Sequence, residues 1–335
     1  MSRPLRIGLI GAGWVTQHHL RGWQRLVGRA EVVAIADPSA DRRAERAAAF
    51  GIARSYGDAN AMLAAEALDA VDIAAPRAVH AELVRLAAAH GLPTICQKPL
   101  APTFDEASGL VAEVEGRIRL MVHENWRFRA WYRTMADWIA AGSIGAPFAA
   151  RLSFVTSGTL KDAQGQYPAL LRQPFIAGER RMLVSEILIH QIDTLRMLLG
   201  PLQVVACQMN RICPDLAGED TAIIQLRGRE GLAVQIFATF AAHGHKPVAA
   251  DRLEIFGPEG SIGLDGGALS LVSSDPVSLG FDADAVYQGS YDAAIAHFVD
   301  RLGDGQPFET APRDNLETLF LVESCYRLAG RMETR

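Results

Sequence analysis

A lysine that closes an apolar run and a histidine flanked by two acids are the residues of this sequence with the most chemistry to offer. Lys98 lies in Cys96-Gln97-Lys98-Pro99-Leu100, directly after Leu92 to Cys96, which reads as a strand. Ligands of open α/β sheets sit at the C-terminal ends of strands, so an ammonium there is placed to meet the reactive end of a cofactor; the alternative is a solvated surface lysine. His190 lies in Glu186-Ile187-Leu188-Ile189-His190-Gln191-Ile192-Asp193. At about 100° per residue, Glu186, His190 and Asp193 fall within roughly 60° of one another on an α-helix. Two carboxylates beside an imidazole fix its tautomer and raise its basicity, as a proton acceptor needs. The same pattern also suits a buried histidine satisfied by a neighbouring acid.

The N-terminus predicts what such a pair would work with. The buried strand Leu5 to Ile10 runs into Gly11-Ala12-Gly13-Trp14-Val15-Thr16, and a helix follows toward Leu26. Gly11 and Gly13 carry no Cβ, so the backbone turns tightly and a ligand approaches closely. The N–H groups of Trp14 and Val15, opening the helix, then face a diphosphate. A second strand, Glu31 to Ala36, ends at Asp37, about twenty residues on, where a carboxylate binds an adenosine ribose. Asp37 favours NAD because it repels a 2′-phosphate, while Arg42 and Arg43 leave NADP open. Thr16 stands at the third fingerprint position in place of Gly or Ala, which predicts looser packing of helix on strand.

Gly11-Ala12-Gly13, Ala75-Pro76 with His80, Gln97-Lys98-Pro99 and the Glu186, His190, Asp193 helix together resemble the glucose–fructose oxidoreductase/inositol dehydrogenase (Gfo/Idh/MocA) family over nearly the whole chain. The resemblance implies a Rossmann nucleotide-binding domain, a second α/β domain whose large sheet often mediates dimers or tetramers, and an active site in the cleft between them. It implies that Pro76, His80 and Gln97 join the glycine loop in holding the cofactor. It also implies that Lys98 is the lysine of the family's Glu-Lys-Pro motif, and that Glu186 and His190 are its acid–histidine pair. Gln97 departs from the motif's glutamate and Glu186 from its usual aspartate.

On this reading His190 removes a hydroxyl proton, Lys98 hydrogen-bonds the same oxygen, and Glu186 orients His190. Asp193 is a second orienting acid or a substrate contact. His123, Asn125, Trp126 and Arg127 follow the sixth strand and are expected to line the substrate site. Tyr167, Arg172 and Arg181 are expected from the polar segment Lys161 to Arg181, which reads as a loop over that site. Hydroxyl-rich ligands suit Asn125, Tyr167 and His123, Trp126 would stack on a sugar face, and an arginine would clamp a carboxylate. For each arginine a solvated or internally paired role is the alternative. His18 and His19 are expected at partly exposed positions of the first helix. His243 and His245 lack an acidic partner at metal-ligand spacing, so no metal is assigned.

Composition narrows the class. At 335 residues, with 49% hydrophobic and 21% charged residues and a net charge of −5, the chain reads as an ordinary globular protein with no reason to bind nucleic acid or an anionic membrane. Four scattered cysteines and an N-terminal apolar run too short for a signal-peptide core predict free thiols and a cytoplasmic protein.

The elements expected to position these groups form an α/β protein in two domains. Residues 1–123 read as a Rossmann domain of six strands alternating with helices. Residues 124–335 read as a substrate-binding and oligomerisation domain with a large, mainly antiparallel open sheet, and its C-terminal helix is free to pack back on the first domain. Helices are expected at Val184 to Leu199, Ser290 to Leu302 and Asn315 to Leu328. The function expected is hydride transfer between nicotinamide and a hydroxyl carbon of a polyol, sugar or sugar derivative, in a homodimer or homotetramer. A nucleotide- or sugar-sensing regulator, and a hydrolase or isomerase that uses tightly held NAD transiently, remain as alternatives.

Overall fold

The computed structural model describes residues 3–248 and 250–331, which divide into two units. One runs up to Phe128 and includes Tyr287–Leu319; the other is Arg129–Val286 with the residues from Phe320 on.

Six parallel strands form the sheet of the first unit: β1 (Leu5–Ile10), β2 (Ala30–Ala36), β3 (Arg54–Tyr56), β4 (Ala70–Ile73), β5 (Thr94–Gln97) and β6 (Leu120–His123), in the order β3-β2-β1-β4-β5-β6. Its helices are α1 (Thr16–Gln24), α2 (Ala40–Phe50), α3 (Ala59–Ala65), α4 (His80–Ala89) and α5 (Phe104–Val114). Strands β4, β5 and β6 are buried along their whole length, as expected of a parallel sheet covered on both faces. One face packs Ile10, Val33, Val71 and Ile73 against Met62, Val84 and Leu110 of α3, α4 and α5. The opposite face packs Ile7, Ala70, Ile95 and Met121 against Trp23 of α1 and against Ala294, Ile295 and Phe298. Those last residues lie far along the chain, so the layer over the second face is completed by sequence-distant residues. Strand order reverses between β1 and β4, and ligands of such sheets bind outside the strand ends at that point.

The second unit contains α6 (Ala130–Ala140), β7 (Ala149–Val155), α7 (Pro168–Arg172), a π-helical turn (Leu183–Leu188), α8 (Ile189–Leu199) and seven further strands. These are β8 (Gln203–Asn210), β9 (Thr221–Arg227), β10 (Ala233–Thr239), β11 (Arg252–Gly257), β12 (Gly260–Asp265), β13 (Ala268–Val272) and β14 (Val277–Gly280). The eight strands are ordered β14-β13-β12-β11-β7-β10-β9-β8, antiparallel except for β7 with β10. Alternation sets the faces: Ile224, Ile236 and Ile255 are buried, whereas Gln225, Gln235 and Glu254 reach the surface with Ile223 and Phe237 paired beside them. The chain closes with α9 (Ala283–Asp304) and α10 (Pro312–Leu328), whose residues are shared between the units.

Three local expectations are corrected. The helix expected at Val184–Leu199 begins as a π turn and becomes α-helical only at Ile189. The hairpin β13–β14 lies outside the expected strands, because its strands are short and carry serines that weaken the apolar pattern. Within Lys161–Arg181 the chain forms α7 and a 3₁₀ turn, Pro174–Gly178, so that segment is not a plain loop.

Candidate active site

Glycine chemistry shapes the ends of β1 and β4. Gly11 has φ +108°, and a Cβ there would lie 2.3 Å from the carbonyl oxygen of Ala74, so only glycine fits. A Cβ on Gly13 would meet nothing within 4 Å, which leaves that backbone open to a close ligand. Thr16, far from loosening the motif, is buried and donates its hydroxyl to the Gly11 carbonyl at 3.2 Å. Asp37 is buried, accepting the Ala12 N–H at 2.8 Å on one oxygen and the Ser39 N–H at 2.8 Å on the other. Each carboxylate oxygen retains acceptor capacity for a ribose hydroxyl. An open backbone at Gly13 with an acid pinned beside the loop fits a dinucleotide.

Three arginines of α2 gather here. Arg42 lies 3.7 Å from the Asp37 carboxylate, Arg43 donates to the Asp37 carbonyl at 2.6 Å, and Arg46 donates to the Gly13 carbonyl at 3.5 Å. The buried Nε atoms of Arg43 and Arg46 have no hydrogen-bond partner among the described residues. Arg46 joins the two arginines named from the sequence, and its signal there is that it continues the helical face of Arg42 and Arg43 at i+4 and i+3. Trp14 is 54% exposed and stands edge-on to His18, while Val15 is half-buried at the start of α1.

Pro76 is exposed in the turn before α4. His80 faces inward, its Nδ1 at 2.7 Å from the Pro99 carbonyl and its Nε2 at 2.8 Å from the Ala75 carbonyl, so it ties the turns after β4 and β5 together. Gln97 is buried; its Oε1 accepts the Lys98 N–H at 2.7 Å and its Nε2 lies 3.2 Å from Nε2 of His19. His18 and His19, expected to be partly exposed, are both buried: His19 faces Asp72 of β4, and His18 is covered by Gln288, Tyr287 and Tyr291. Lys98 is half-buried and joins Pro99 through a cis peptide bond.

Three of the residues expected to line a substrate are held inside the first unit. His123 is fully buried, its ring against those of His19 (4.3 Å) and Tyr291 (5.1 Å). Asn125 donates to Ser290 Oγ at 2.7 Å, and Arg127 pairs with Asp314 at 2.5 Å, both buried. The β6 end is covered by the 287–319 segment, a long-range contact that local sequence does not reveal. Trp126 is half-buried, edge-on to Tyr287.

In the second unit a carboxylate clamp holds the turn that carries Glu186. Glu219, fully buried, accepts the Val184 N–H at 3.0 Å and the Tyr326 hydroxyl at 2.5 Å, and its own carbonyl accepts the Leu183 N–H at 3.2 Å. The Tyr326 oxygen in turn accepts the Ser185 N–H at 3.2 Å. Burial pushes the Tyr326 hydroxyl well above its usual titration range, with the Glu219 charge adding to it. These partners satisfy N–H groups that a helix start leaves open, and π turns are frequent at functional sites. The i→i+5 pattern moves Glu186 off the angular position that an unbroken α-helix predicts relative to His190.

His190 itself is 8% exposed and shares a face of α8 with Asp193 three residues on. Asp193 is fully buried, 3.7 Å from Arg196. The neighbouring Gln191 donates to Asp251 at 3.1 Å; Asp251 also accepts from Tyr132 at 2.8 Å and Arg129 at 2.9 Å. That buried cluster locks α8 to α6 and to the start of β11.

The remaining expected residues sit at different depths. Tyr167 is half-buried, and its hydrogen bond to Asp215 holds its hydroxyl well above the usual value. Arg172 is exposed at the end of α7. Arg181 pairs with Glu323 at 2.8 Å and lies 4.1 Å over the Tyr326 ring, so its guanidinium supports the clamp. No helix among the described residues is long and apolar enough to cross a membrane, and all four cysteines are free and buried.

Comparison with known proteins agrees with this geometry. Residues 5–124 match the model of the GFO/IDH/MocA oxidoreductase family with an NAD-binding Rossmann fold, and residues 132–263 match the C-terminal domain of that family. The chain is 34% identical to a D-apiose dehydrogenase of Paraburkholderia graminis over 97% of its own length and 88% of the relative's. A D-apiose dehydrogenase of Rhizobium rhizogenes is 31% identical over 98% of this chain and 96% of the relative. Among solved structures, an oxidoreductase from Agrobacterium radiobacter in complex with NAD+, L-tartaric acid and magnesium superposes with a TM-score of 0.89 at 31% identity, covering 97% of this chain and 96% of that one.

Proposed function

The chain belongs to the Gfo/Idh/MocA family of NAD-binding oxidoreductases, and from that premise we propose that it is a dehydrogenase that oxidises a hydroxyl carbon of a sugar or sugar derivative. The observation that carries the reading is the Asp37 carboxylate, pinned by the N–H groups of Ala12 and Ser39 beside the open backbone of Gly13. It is supported by the retention of Lys98 and the Glu186–His190 pair, which a silent sensor has no need of. The names of the D-apiose dehydrogenase relatives point to an aldose.

In this reading the glycine loop and Asp37 hold the dinucleotide, whose nicotinamide, when bound, accepts the hydride. His190 takes the hydroxyl proton, Glu186 orients the imidazole, and Lys98 donates a hydrogen bond to the oxygen that becomes the carbonyl. Trp126 and Tyr167 contact the substrate, and Arg172 is the arginine left to meet an acidic one. Arg42, Arg43 and Arg46 surround Asp37 with enough positive charge that NADP remains a substrate of lower preference. The surface strip around Ile223 and Phe237 supports self-association into a homodimer or homotetramer through the eight-stranded sheet.

The test is turnover of NAD and NADP with D-apiose, other aldoses, inositols and L-tartrate, read as reduced-nicotinamide absorbance. Turnover of sugars with a higher kcat/KM for NAD is expected. Dinucleotide binding without turnover of any of them would overturn the dehydrogenase reading in favour of a sensor or a transient-redox enzyme.

A further inference from the structure

The first unit contains a chain of hydrogen bonds that runs from its core to the peptide of Lys98, and each proton in it is set by the two ends. At the surface end the Lys98 N–H, which can only donate, is 2.7 Å from Oε1 of Gln97. The other half of that amide is therefore an NH₂, and it points at Nε2 of His19, 3.2 Å away. Nε2 must then accept, so the imidazole carries its proton on Nδ1. Nδ1 lies 2.9 and 3.1 Å from the two oxygens of Asp72, an acceptor, and Asp72 also takes the indole N–H of Trp23 at 2.7 Å. His19 and Asp72 are fully buried, and the His19 ring is packed against those of His123 and Tyr291 at 4.3 and 5.5 Å. Each contact along Trp23, Asp72, His19, Gln97 and Lys98 thus pairs a donor with an acceptor when the imidazole carries its proton on Nδ1.

We propose that Asp72, His19 and Gln97 are positioning residues for Lys98, and that this relay requires an amide rather than a carboxylate at position 97. A glutamate there, as in the family motif, would still accept the Lys98 N–H but would present only acceptors to His19 Nε2. The imidazole would then have to carry both protons between two buried carboxylates, or the contact would open. With Gln97 the amide satisfies both neighbours and adds no second carboxylate to that of Asp72. The amide also has one orientation only, so the Gln97–Lys98 peptide plane is held without a movable charge. The inference rests on the reading of Lys98 as a catalytic group, and its first readout is independent of that reading.

The chain has three lysines, Lys98, Lys161 and Lys246, so ¹⁵N-lysine labelling yields three backbone amide signals, and Lys98→Met identifies the one of interest. In His19→Phe, which keeps the ring contacts and removes both nitrogens, the Lys98 amide proton should move upfield by several tenths of a ppm. Gln97→Glu, nearly isosteric, should shift the same signal even if His19→Phe folds poorly. With the best sugar substrate both variants should lose about 10- to 100-fold in kcat, the cost of a small misplacement of a reacting group, while in His19→Phe the KM for the dinucleotide stays within about twofold. An unmoved Lys98 signal and unchanged kcat in both variants, with Lys98→Met inactive, would overturn the relay and leave the catalytic lysine standing. Parallel loss of dinucleotide binding and kcat in His19→Phe would also overturn it, as general damage. Full activity in Lys98→Met would instead remove the catalytic reading, and the amide shift alone would then judge the relay.

Discussion

The lysine and the histidine at the centre of the proposed chemistry are held in opposite ways. Lys98 is fixed through its backbone by groups in series, a carboxylate, an imidazole and an amide, each making contact on either side, from Asp72 to the peptide N–H. His190 sits on a helix whose preceding turn is fixed in parallel: one carboxylate, one carbonyl and one hydroxyl, from Glu219 and Tyr326, take the N–H groups of Leu183, Val184 and Ser185. A series arrangement fails when any member is altered. A parallel one loses a share of its strength and keeps its shape. Positioning of the lysine is therefore expected to be sensitive to any single substitution along the relay, and the histidine helix to lose stability before it loses its shape.

The largest effects come from removing the groups themselves. His190→Ala and Lys98→Met should each lower kcat/KM by about 10²- to 10⁴-fold, the range for positioned acid–base groups, with folding temperature nearly unchanged. Steady-state kinetics beside thermal unfolding measures this, and a His190→Ala enzyme with kcat near wild type would remove His190 as the base. The two glycines of the loop sharpen the contrast within the first unit. Gly11→Ala forces a side chain onto the Ala74 carbonyl at positive φ and should cost about 2–4 kcal/mol of unfolding free energy. Gly13→Ala meets nothing, so denaturant midpoints should be preserved while dinucleotide affinity falls. Equal destabilisation in both would show that the open space at Gly13 is not a ligand approach.

The smallest expected effect tests the clamp. Tyr326→Phe leaves the Ser185 N–H and one lone pair of Glu219 without the hydroxyl, for about 1–3 kcal/mol, with kcat reduced less than in Gln97→Glu. The sign of its pH dependence follows from the raised hydroxyl: in the unfolded chain tyrosine loses its proton near pH ~10, in the folded protein only at higher pH. Stability from this group is thus complete below pH ~10 and is lost as pH rises above it. Tyr132, also buried and raised, contributes in the same direction, so Tyr326→Phe should flatten the alkaline limb of a stability–pH curve without abolishing it.

Much of this was legible along the chain because its cause is local. Strand-to-glycine transitions mark β1 and the dinucleotide loop, Asp37 stands at the end of a short apolar run, and Ser39 and Gly51 bound α2 by their own capping geometry. The spacing of Lys98 and His190 in the family motifs is likewise a property of neighbouring residues. What the tertiary structure decided depends on segments far apart in sequence. His123, Asn125 and Arg127 read as site residues by their place after β6, yet Tyr291, Ser290 and Asp314 occupy them. His19 is a helix residue like any other until Asp72, 53 positions on, and Gln97, 78 positions on, enclose it. The π turn depends on Glu219 and Tyr326, neither of which carries a local signal for it. Local rules determine where the chain turns and which faces are apolar; the partner of each buried polar group is chosen by packing, because an unpaired one costs more than any local preference supplies.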